Sequence, residues 1–189
     1  MDNNLKIINY LGKHLEQSFT MNELSKTIQI PYATFHRTIQ LMKDVLIIQQ
    51  VGKAKTIALN RTNSTLKSYL TISSDEEKKE FLLKQPILNK ISTELDIKDI
   101  VVLFGSYAKG TQRESSDIDL LIINKDGKKT ISFSKYELLF KKKINPIFIT
   151  KSEFIKMLQE KEENLGKQAL KDHIIFQNPE SFWGCVLNG

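Results

Sequence analysis

The sequence predicts an α+β or α/β protein built in successive parts. Two observations lead to this prediction. Apolar residues near the N-terminus recur at helical spacing, whereas from residue 98 onward short continuous apolar runs alternate with amphipathic stretches. We therefore divide the chain into a helical N-terminal domain over residues 1–60, a helical connector over residues 61–97, and a domain with a small mixed sheet and flanking helices over residues 98–189.

The pattern of residues 1–60 predicts three helices followed by a β-hairpin. After a first amphipathic segment, Thr20 and Glu23 have the spacing of a capping box, which predicts the start of a second helix. Pro31 suits the first turn of a third helix that reaches about residue 42. Two strand-like segments, residues 45–48 and 56–59, then flank a five-residue connection and predict a hairpin.

This order of elements resembles a winged helix-turn-helix, with the third helix as recognition helix and the hairpin as wing. Residues 1–60 hold seven Lys or Arg against four Asp or Glu, a net charge of +3, which suits a polyanionic partner. The resemblance implies that duplex DNA is bound by polar residues of the third helix and wing, namely Tyr32, Thr34, His36, Arg37, Gln40, Lys43, Lys53 and Lys55. The alternative is a small helical module whose exposed face is merely hydrophilic or mediates dimerisation.

The connector and the overall composition set further limits. Leu66 and Leu70 suggest one short helix, the serines and acids of residues 73–77 suggest the start of another, and Pro86 suggests a kink or restart. Cys185 is the only cysteine, so no intrachain disulfide or thiolate cluster can form, and we expect it to be buried and unreactive. The chain has no apolar run near the roughly 20 residues of a membrane span and no signal-peptide core, so we expect a cytoplasmic protein with no membrane partner.

The second domain contains three apolar runs that predict buried strands: residues 100–104, 118–123 and 144–149. Thr150 and Glu153 form a second capping box, which predicts a helix directly after the third run. Asn178 and Pro179 have the composition of a cap and first turn, which predicts a last helix.

The first strand ends at a pattern that suits phosphate binding. Gly105 lets the backbone turn closely against a ligand, and Ser106 would open a helix whose free N–H groups and hydroxyl favour an anion such as a triphosphate. Gly110 provides a second flexible point after this helix. Lys109, three positions after Ser106, is a further candidate for phosphate contact, and the alternative is an ordinary solvated lysine.

Two carboxylates follow the phosphate-binding pattern. Asp117 and Asp119 are two apart on a predicted strand, so their side chains share one face. We expect them to be buried beside the apolar run that follows, where a pair of carboxylates is costly without a cation. Mg²⁺ bridging the carboxylates to substrate phosphates removes that cost, and two such ions are typical of phosphoryl transfer.

These residues, Gly105 and Ser106 followed after ten positions by Asp117 and Asp119, resemble the nucleotidyltransferase superfamily related to DNA polymerase β, in particular its minimal (MNT-type) branch. The resemblance covers roughly residues 85–160. It implies a small mixed sheet, binding of ATP or another nucleoside triphosphate with Mg²⁺, and transfer of a nucleoside monophosphate. Some members of the superfamily modify antibiotics, and others are antitoxins that adenylylate a partner toxin.

The chain departs from the superfamily pattern at the third carboxylate, which usually lies on a later strand. The matching run here has no acid, and Asn145 is nearest the expected place. An amide can ligate a cation but cannot accept a proton from the attacking group. Glu137 or Glu153 is the possible substitute. Three functions therefore stay open: an active nucleotidyltransferase, a DNA-binding regulator whose second domain senses nucleotide or is inactive, and an antitoxin-like partner of a toxin.

Three other polar features complete the prediction. Arg113 lies between the glycines and the aspartates and suits either contact with the acceptor or a plain surface role. His173 follows Asp172 and could suggest a general base, but no matched partner motif accompanies it, so we expect a structural or surface histidine. The run of residues 141–143, all lysines, suggests a solvated helix end that complements the helix dipole. The nucleotide, the acceptor, the DNA target and the oligomeric state do not follow from these patterns.

Overall fold

The chain divides between Ser73 and Ser74 into two compact units, one of residues Met1–Ser73 and one of residues Ser74–Gly189. The structure is a computed structural model and describes residues 1–188. The three helices and the hairpin expected in the first sixty residues are present. In chain order the elements are α1 (Asn3–Lys13), β1 (Phe19–Thr20), α2 (Met21–Thr27), α3 (Tyr32–Leu41), β2 (Leu46–Val51) and β3 (Ala54–Leu59).

Side-chain caps set the starts of the first two helices. The Asp2 carboxylate accepts the N–H of Leu5 at 2.8 Å at the start of α1. At the start of α2, the predicted capping box is confirmed, since Thr20 accepts the N–H of Glu23 at 3.2 Å and Glu23 accepts the N–H of Thr20 at 3.4 Å. Pro31 is the N-cap of α3 and not its first residue, which differs from the prediction by one position.

The first unit has a three-stranded antiparallel sheet in the order β1-β3-β2. Gly52 and Lys53 alone connect β2 to β3, so the predicted five-residue connection is a two-residue turn, which Gly52 permits at φ +60°. The sheet and helices share a core of fully buried side chains: Ile7, Ile8, Leu24, Phe35, Ile39 and Ile57.

The connector holds one long helix, α4 (Leu66–Leu82), where the sequence suggested two. The predicted second start at residues 73–77 is wrong, because its serines are satisfied inside the helix. The Ser73 hydroxyl donates to the carbonyl of Leu70 at 2.9 Å, and the Ser74 hydroxyl accepts the indole N–H of Trp183 at 2.9 Å. Both serines are buried. Pro86 restarts the chain as the first residue of α5 (Pro86–Glu94).

The remaining elements form the mixed sheet and its flanking helices. In chain order they are β4 (Ile100–Phe104), α6 (Gly105–Lys109), β5 (Ile118–Asn124), α7 (Ser134–Phe140), β6 (Ile144–Thr150), α8 (Lys151–Gln159), α9 (Leu165–Lys171), β7 (Ile174–Gln177) and α10 (Pro179–Asn188). The three predicted strands are confirmed as β4, β5 and β6, and the capping box of Thr150 and Glu153 is confirmed at the start of α8.

The sheet of the second unit has the order β6-β5-β4-β7, in which β5 and β6 are parallel and the other pairs are antiparallel. Every residue of β4 is buried. Burial on both faces explains why this strand is a continuous apolar run in the sequence. Phe176, Phe182 and Trp183 are buried in this unit, as expected for residues that close its core.

Asn178 differs from its predicted role as a side-chain cap of the last helix. Its backbone adopts φ +56°, and its side-chain amide donates to the carbonyls of Lys98 and Asp99 at 2.8 and 3.0 Å. The residue therefore ties the start of α10 to the segment that precedes β4. Within residues 1–188, no helix combines the length and the apolar character that crossing a membrane requires.

Candidate functional site

The predicted phosphate-binding turn and the second aspartate meet at one end of two paired strands. Phe104, the last residue of β4, lies opposite Asp119 of β5 in the antiparallel register. Gly105 follows at φ +72°, and a Cβ atom added to it would lie 2.5 Å from Oδ2 of Asp119. Glycine is therefore required at this position for two reasons. It adopts the left-handed backbone conformation, and it leaves room for the Asp119 carboxylate beside its Cα atom.

The turn continues into the short helix α6. Ser106 is its second residue and is half-buried, while Tyr107 is buried and anchors the helix to the core. Gly110 ends the helix in the left-handed conformation at φ +69°, and its N–H donates to the carbonyls of Ser106 and Tyr107. The predicted order of strand, glycine turn, short helix and second glycine is confirmed.

Asp117 directly precedes β5, and Asp119 is the second residue of that strand. Ile118 between them is buried, and its N–H donates to the carbonyl of Lys143 at 2.9 Å. Both aspartates are half-buried, so the prediction of a buried pair is wrong. They lie where β5 begins, and their partial exposure leaves the carboxylates accessible to solvent and to a ligand.

Strand β6 and the residue directly before it bring two further polar side chains to the aspartates. Asn145 is in parallel register with Asp119, and its side-chain amide donates to Oδ1 of Asp119 at 3.2 Å. The ammonium of Lys143 lies 3.4 Å from Oδ2 of Asp117. Lys143 is solvated, as expected, but it lies beyond the C-cap of α7, which is Lys141, and it pairs with Asp117. Asn145 lies beside the aspartates, where the resemblance places a third acid.

The two glutamates considered as substitutes are occupied by backbone donors. Glu137 accepts the N–H of Ile144 at 2.9 Å. Glu153 accepts the N–H of Thr150 at 2.7 Å and its hydroxyl at 2.8 Å, and these hydrogen bonds hold the pKa of Glu153 below its ordinary value. Within residues 1–188, no group of three or more His, Cys, Asp or Glu is placed to share one metal ion.

The aspartates nevertheless suit a divalent cation that arrives with a nucleotide. Mg²⁺ is commonly held by one or two protein carboxylates while water and substrate phosphates supply the remaining ligands. Asp117 and Asp119 are both partly exposed and offer carboxylate oxygens, and the Asn145 amide offers a neutral oxygen beside Asp119. The donor set therefore fits a cation shared between protein and triphosphate.

Other residues singled out from the sequence lie apart from the aspartates or have structural contacts. Lys109 ends α6, where its ammonium lies 3.6 Å from a carboxylate oxygen of Asp172. His173 is buried against Phe182 and Trp183, which confirms a structural role.

Arg113 and Cys185 also have local roles in this unit. Arg113 is exposed in the loop before the aspartates, and its backbone N–H donates to the Ser116 hydroxyl at 2.8 Å. Cys185 is buried, and burial raises the pKa of its thiol, as expected for an unreactive cysteine.

The first unit presents a separate polar surface on α3 and the hairpin. Phe35 and Ile39 of α3 are fully buried and direct one face of the helix into the core. Every residue predicted to contact DNA is exposed, on the opposite face of α3, in the turn after it or on the hairpin: Tyr32, Thr34, His36, Arg37, Gln40, Lys43, Lys53 and Lys55. The structure thus brings these residues to the surface, and their contact with DNA stays a prediction.

Lys143 is the site residue that the sequence reasoning missed. A signal for it existed, because Lys143 and Asn145 are two apart, as Asp117 and Asp119 are. Residues with this spacing share one face of a strand, so placing Asn145 beside Asp119 also places Lys143 beside Asp117.

Comparison with known proteins identifies the second unit. The family described as "Polymerase beta, Nucleotidyltransferase" matches residues 85–181, which is just over half of the chain. The match contains the glycine turn, both aspartates and Asn145. No curated protein and no solved structure gave a match. With its glycine turn and its aspartates in the arrangement described above, the chain belongs to the polymerase β type of nucleotidyltransferases.

Proposed function

We propose that this protein transfers a nucleoside monophosphate from ATP or another nucleoside triphosphate to an acceptor hydroxyl in a Mg²⁺-dependent reaction. Membership of the family implies a triphosphate substrate and a divalent metal in general terms. The observation that carries the finer proposal is the close approach of Gly105 to Asp119, whose Oδ2 would lie only 2.5 Å from a Cβ added to the glycine. No side chain separates the phosphate-binding turn from the carboxylate.

Each residue of the site has a proposed role. Asp117 and Asp119 hold the cation and are the catalytic residues, and the backbone of Gly105 and the hydroxyl of Ser106 bind phosphate oxygens. Because Gly105 adjoins Asp119, a triphosphate bound at the turn shares its cation with both carboxylates. When bound, the cation neutralises phosphate charge and lowers the pKa of a hydroxyl that it ligates.

Lys109 is the third proposed phosphate contact. Its ion pair with Asp172 is long, at 3.6 Å, and the Lys109 side chain is half exposed to solvent. An exposed pair of this kind holds its lysine weakly, so the flexible stem can turn the ammonium towards a phosphate group. We propose that Lys109 exchanges Asp172 for the triphosphate when the nucleotide binds.

The proposed transfer is a single displacement at phosphorus. The acceptor oxygen forms a bond to the α-phosphorus, the bond from that phosphorus to the bridging oxygen of the β-phosphate breaks, and pyrophosphate leaves with the electron pair. The acceptor proton passes to water, because the Asn145 amide beside Asp119 cannot accept it. Asn145 instead holds Asp119 in position on the neighbouring strand.

The first unit supports a second proposed activity, the binding of duplex DNA. Arg37 and Gln40 lie one helical turn apart on the exposed face of α3, and Lys53 and Lys55 are exposed at the hairpin. A helix entering the major groove and basic residues on phosphates use such side chains. The alternative to nucleotidyl transfer is a DNA-binding regulator whose second unit binds nucleotide without transferring it. This alternative is favoured because residue 145, which contacts Asp119, is an asparagine and not an acid.

Label transfer tests the proposed reaction and searches for its acceptor. The full chain is incubated with Mg²⁺, cell extract and each nucleoside triphosphate labelled at the α-phosphate. We expect label to appear on one class of acceptor, a protein, a nucleic-acid end or a small molecule, and to disappear with Asp117→Ala. A labelled partner protein encoded beside this chain would identify the antitoxin-like role. Nucleotide binding without transfer to any acceptor would support the regulator.

A further inference from the structure

Each aspartate of the site faces one donor from the strand segment beside it. The Lys143 ammonium lies 3.4 Å from Asp117, and the Asn145 amide lies 3.2 Å from Asp119. The backbone sets this pairing, because the Ile118 N–H donates to the carbonyl of Lys143 at 2.9 Å and Asp119 is in register with Asn145. The pairing of the two backbone segments therefore places both donors beside the aspartates.

The donors change the charge of the site. Asp117 and Asp119 contribute two negative charges, Lys143 returns one positive charge, and Asn145 is neutral, so the four side chains carry a net charge of −1. An acid in place of Asn145 would make that net charge −2. With fewer negative charges, the site attracts a second divalent cation less strongly.

The ion pair of Lys143 and Asp117 is too exposed to serve mainly as a structural contact. Their side chains are 72% and 40% exposed, respectively. Exposed pairs contribute little to fold stability. The ammonium nevertheless occupies space beside Oδ2 of Asp117, and any cation bound by that oxygen must compete with it.

We propose that Lys143 is a built-in cation of this site, which pairs with Asp117 until a divalent cation and a nucleoside triphosphate bind. The ammonium then leaves Asp117 and contacts a phosphate oxygen, and the site holds one divalent cation per chain. A lysine suits both positions because its charge is compact and its stem is flexible. This inference rests on the proposed nucleotidyl transfer. It adds Lys143 as a residue that favours binding of the metal-bound triphosphate over binding of the metal alone.

The inference predicts effects of opposite sign when Lys143 is replaced. Without nucleotide, Lys143→Gln removes the competitor of the metal, so the site should bind Mn²⁺ about fivefold more tightly. With nucleotide, the same change removes a phosphate contact, so the Mn²⁺–nucleotide complex should bind about fivefold more weakly. A purely structural lysine would change both affinities in one direction.

The test is a titration of the full chain with Mn²⁺, followed by electron paramagnetic resonance of the free ion. It is run with Mn²⁺ alone and with Mn²⁺ plus α,β-methylene ATP, which cannot undergo transfer. We expect one Mn²⁺ per parent chain with the analogue and the two opposite shifts for Lys143→Gln. Lys143→Arg retains the charge and should stay near the parent. Lys141→Gln loses the same charge at the C-cap of α7 and should change neither affinity.

The outcomes separate this inference from the proposed reaction. The inference is wrong if the parent binds the Mn²⁺–nucleotide complex but Lys143→Gln has the same two affinities as Lys141→Gln. It is also wrong if Lys143→Gln moves both affinities in one direction. In either case the proposed reaction stands. Two Mn²⁺ ions per parent chain with the analogue would overturn the inference in the same way. A parent that binds no Mn²⁺–nucleotide complex would overturn both.

Discussion

Asn145 donates its side-chain amide to Asp119 across the parallel pair of β6 and β5, with the two residues in register and the two atoms 3.2 Å apart. This contact places an amide where the nucleotidyltransferase pattern expects an acid. The amide contacts Asp119 but cannot serve as a base, so in the proposed transfer the acceptor proton leaves by another route.

Asn145→Asp should therefore increase the rate of transfer. A general base beside the reacting hydroxyl typically contributes about a hundredfold or more. The measurement is a single-turnover rate with saturating Mg²⁺ and nucleotide and the acceptor found by label transfer. Asn145→Ala, which removes the amide without adding a base, should show no increase. A parent and an Asn145→Asp variant with equal rates would mean that another residue already takes the proton, or that proton transfer does not limit the rate.

Gly105→Ala should abolish metal-dependent nucleotide binding. The new Cβ would lie 2.5 Å from Oδ2 of Asp119, so the carboxylate or the turn must move. The left-handed backbone adds a strain of roughly 1–2 kcal/mol for alanine. Gly52→Ala is the matched control, because Gly52 has φ +60° and open space around it.

Chemical unfolding and nucleotide binding are measured on both glycine variants. We expect both to lose stability and only Gly105→Ala to lose binding. If Gly105→Ala retained full affinity for the Mg²⁺–nucleotide complex, the turn would have no part in holding phosphate next to Asp119.

The strands of the site could be predicted from the sequence because each is a short apolar run with a sharp end. Gly105 closes one run and Asp117 precedes the next, so local chemistry marks both boundaries. The pairing of β5 with β6 is not local, since Asp119 and Asn145 are 26 positions apart. Only the resemblance to a family suggested that Asn145 lies near the aspartates, and Lys143 was missed because its contact depends on the same register.

Two errors in the helices and strands have a common cause. Ser73 and Ser74 have the composition of a helix start, yet the carbonyl of Leu70 and the indole of Trp183 satisfy them in the middle of α4. Strand β7 was not predicted, although Ile174, Ile175 and Phe176 form a short apolar run, because so short a run does not distinguish a strand from a buried helix segment. Its pairing with β4 makes it a strand. In both cases a partner distant in the sequence decided the structure.

The first unit should bind duplex DNA in the full chain with an affinity that falls steeply as salt increases. Each phosphate contact lowers the slope of log affinity against log salt by about 0.9. Arg37→Ala combined with Lys53→Ala should therefore make that slope less negative by up to about two. Fluorescence anisotropy with labelled duplexes at several salt concentrations measures it.

A double variant with the same loss of charge controls for the net charge of the chain. Lys125→Ala with Lys129→Ala removes two exposed lysines from the second unit, and we expect it to retain DNA affinity. If the parent bound no duplex in a salt-sensitive manner, the surface of α3 and the hairpin would have to serve another partner.

Glu94 should make the second unit sensitive to acid. Hydrogen bonds from Lys135 and Lys90 lower the pKa of Glu94 from an ordinary 4.5 to about 2. A carboxyl group with a lowered folded-state pKa stabilises the fold above its unfolded pKa, and this contribution is lost as the pH falls from about 4.5 to about 2. The contribution is small because the group is exposed.

Urea unfolding of Glu94→Gln and of the parent at pH 7, 4 and 3 tests this contribution. We expect Glu94→Gln to unfold at slightly lower urea at pH 7, with the gap closing as the pH falls. Glu163→Gln, which changes another exposed glutamate, should follow the parent throughout. A gap for Glu94→Gln that stayed constant with pH would show that the ion pairs do not cause it.

We propose that Asp117 and Asp119 hold a metal-bound nucleoside triphosphate. The thermal shift of Asp119→Asn with Mg²⁺ and ATP tests this proposal most directly. Asp119 is half-buried at the end of a strand, so the substitution should leave the fold intact. We expect a clear rise of the melting temperature with Mg²⁺ and ATP in the parent and in Asp96→Asn, an exposed control. In Asp119→Asn that rise should be absent. An undiminished rise in Asp119→Asn would contradict the claim.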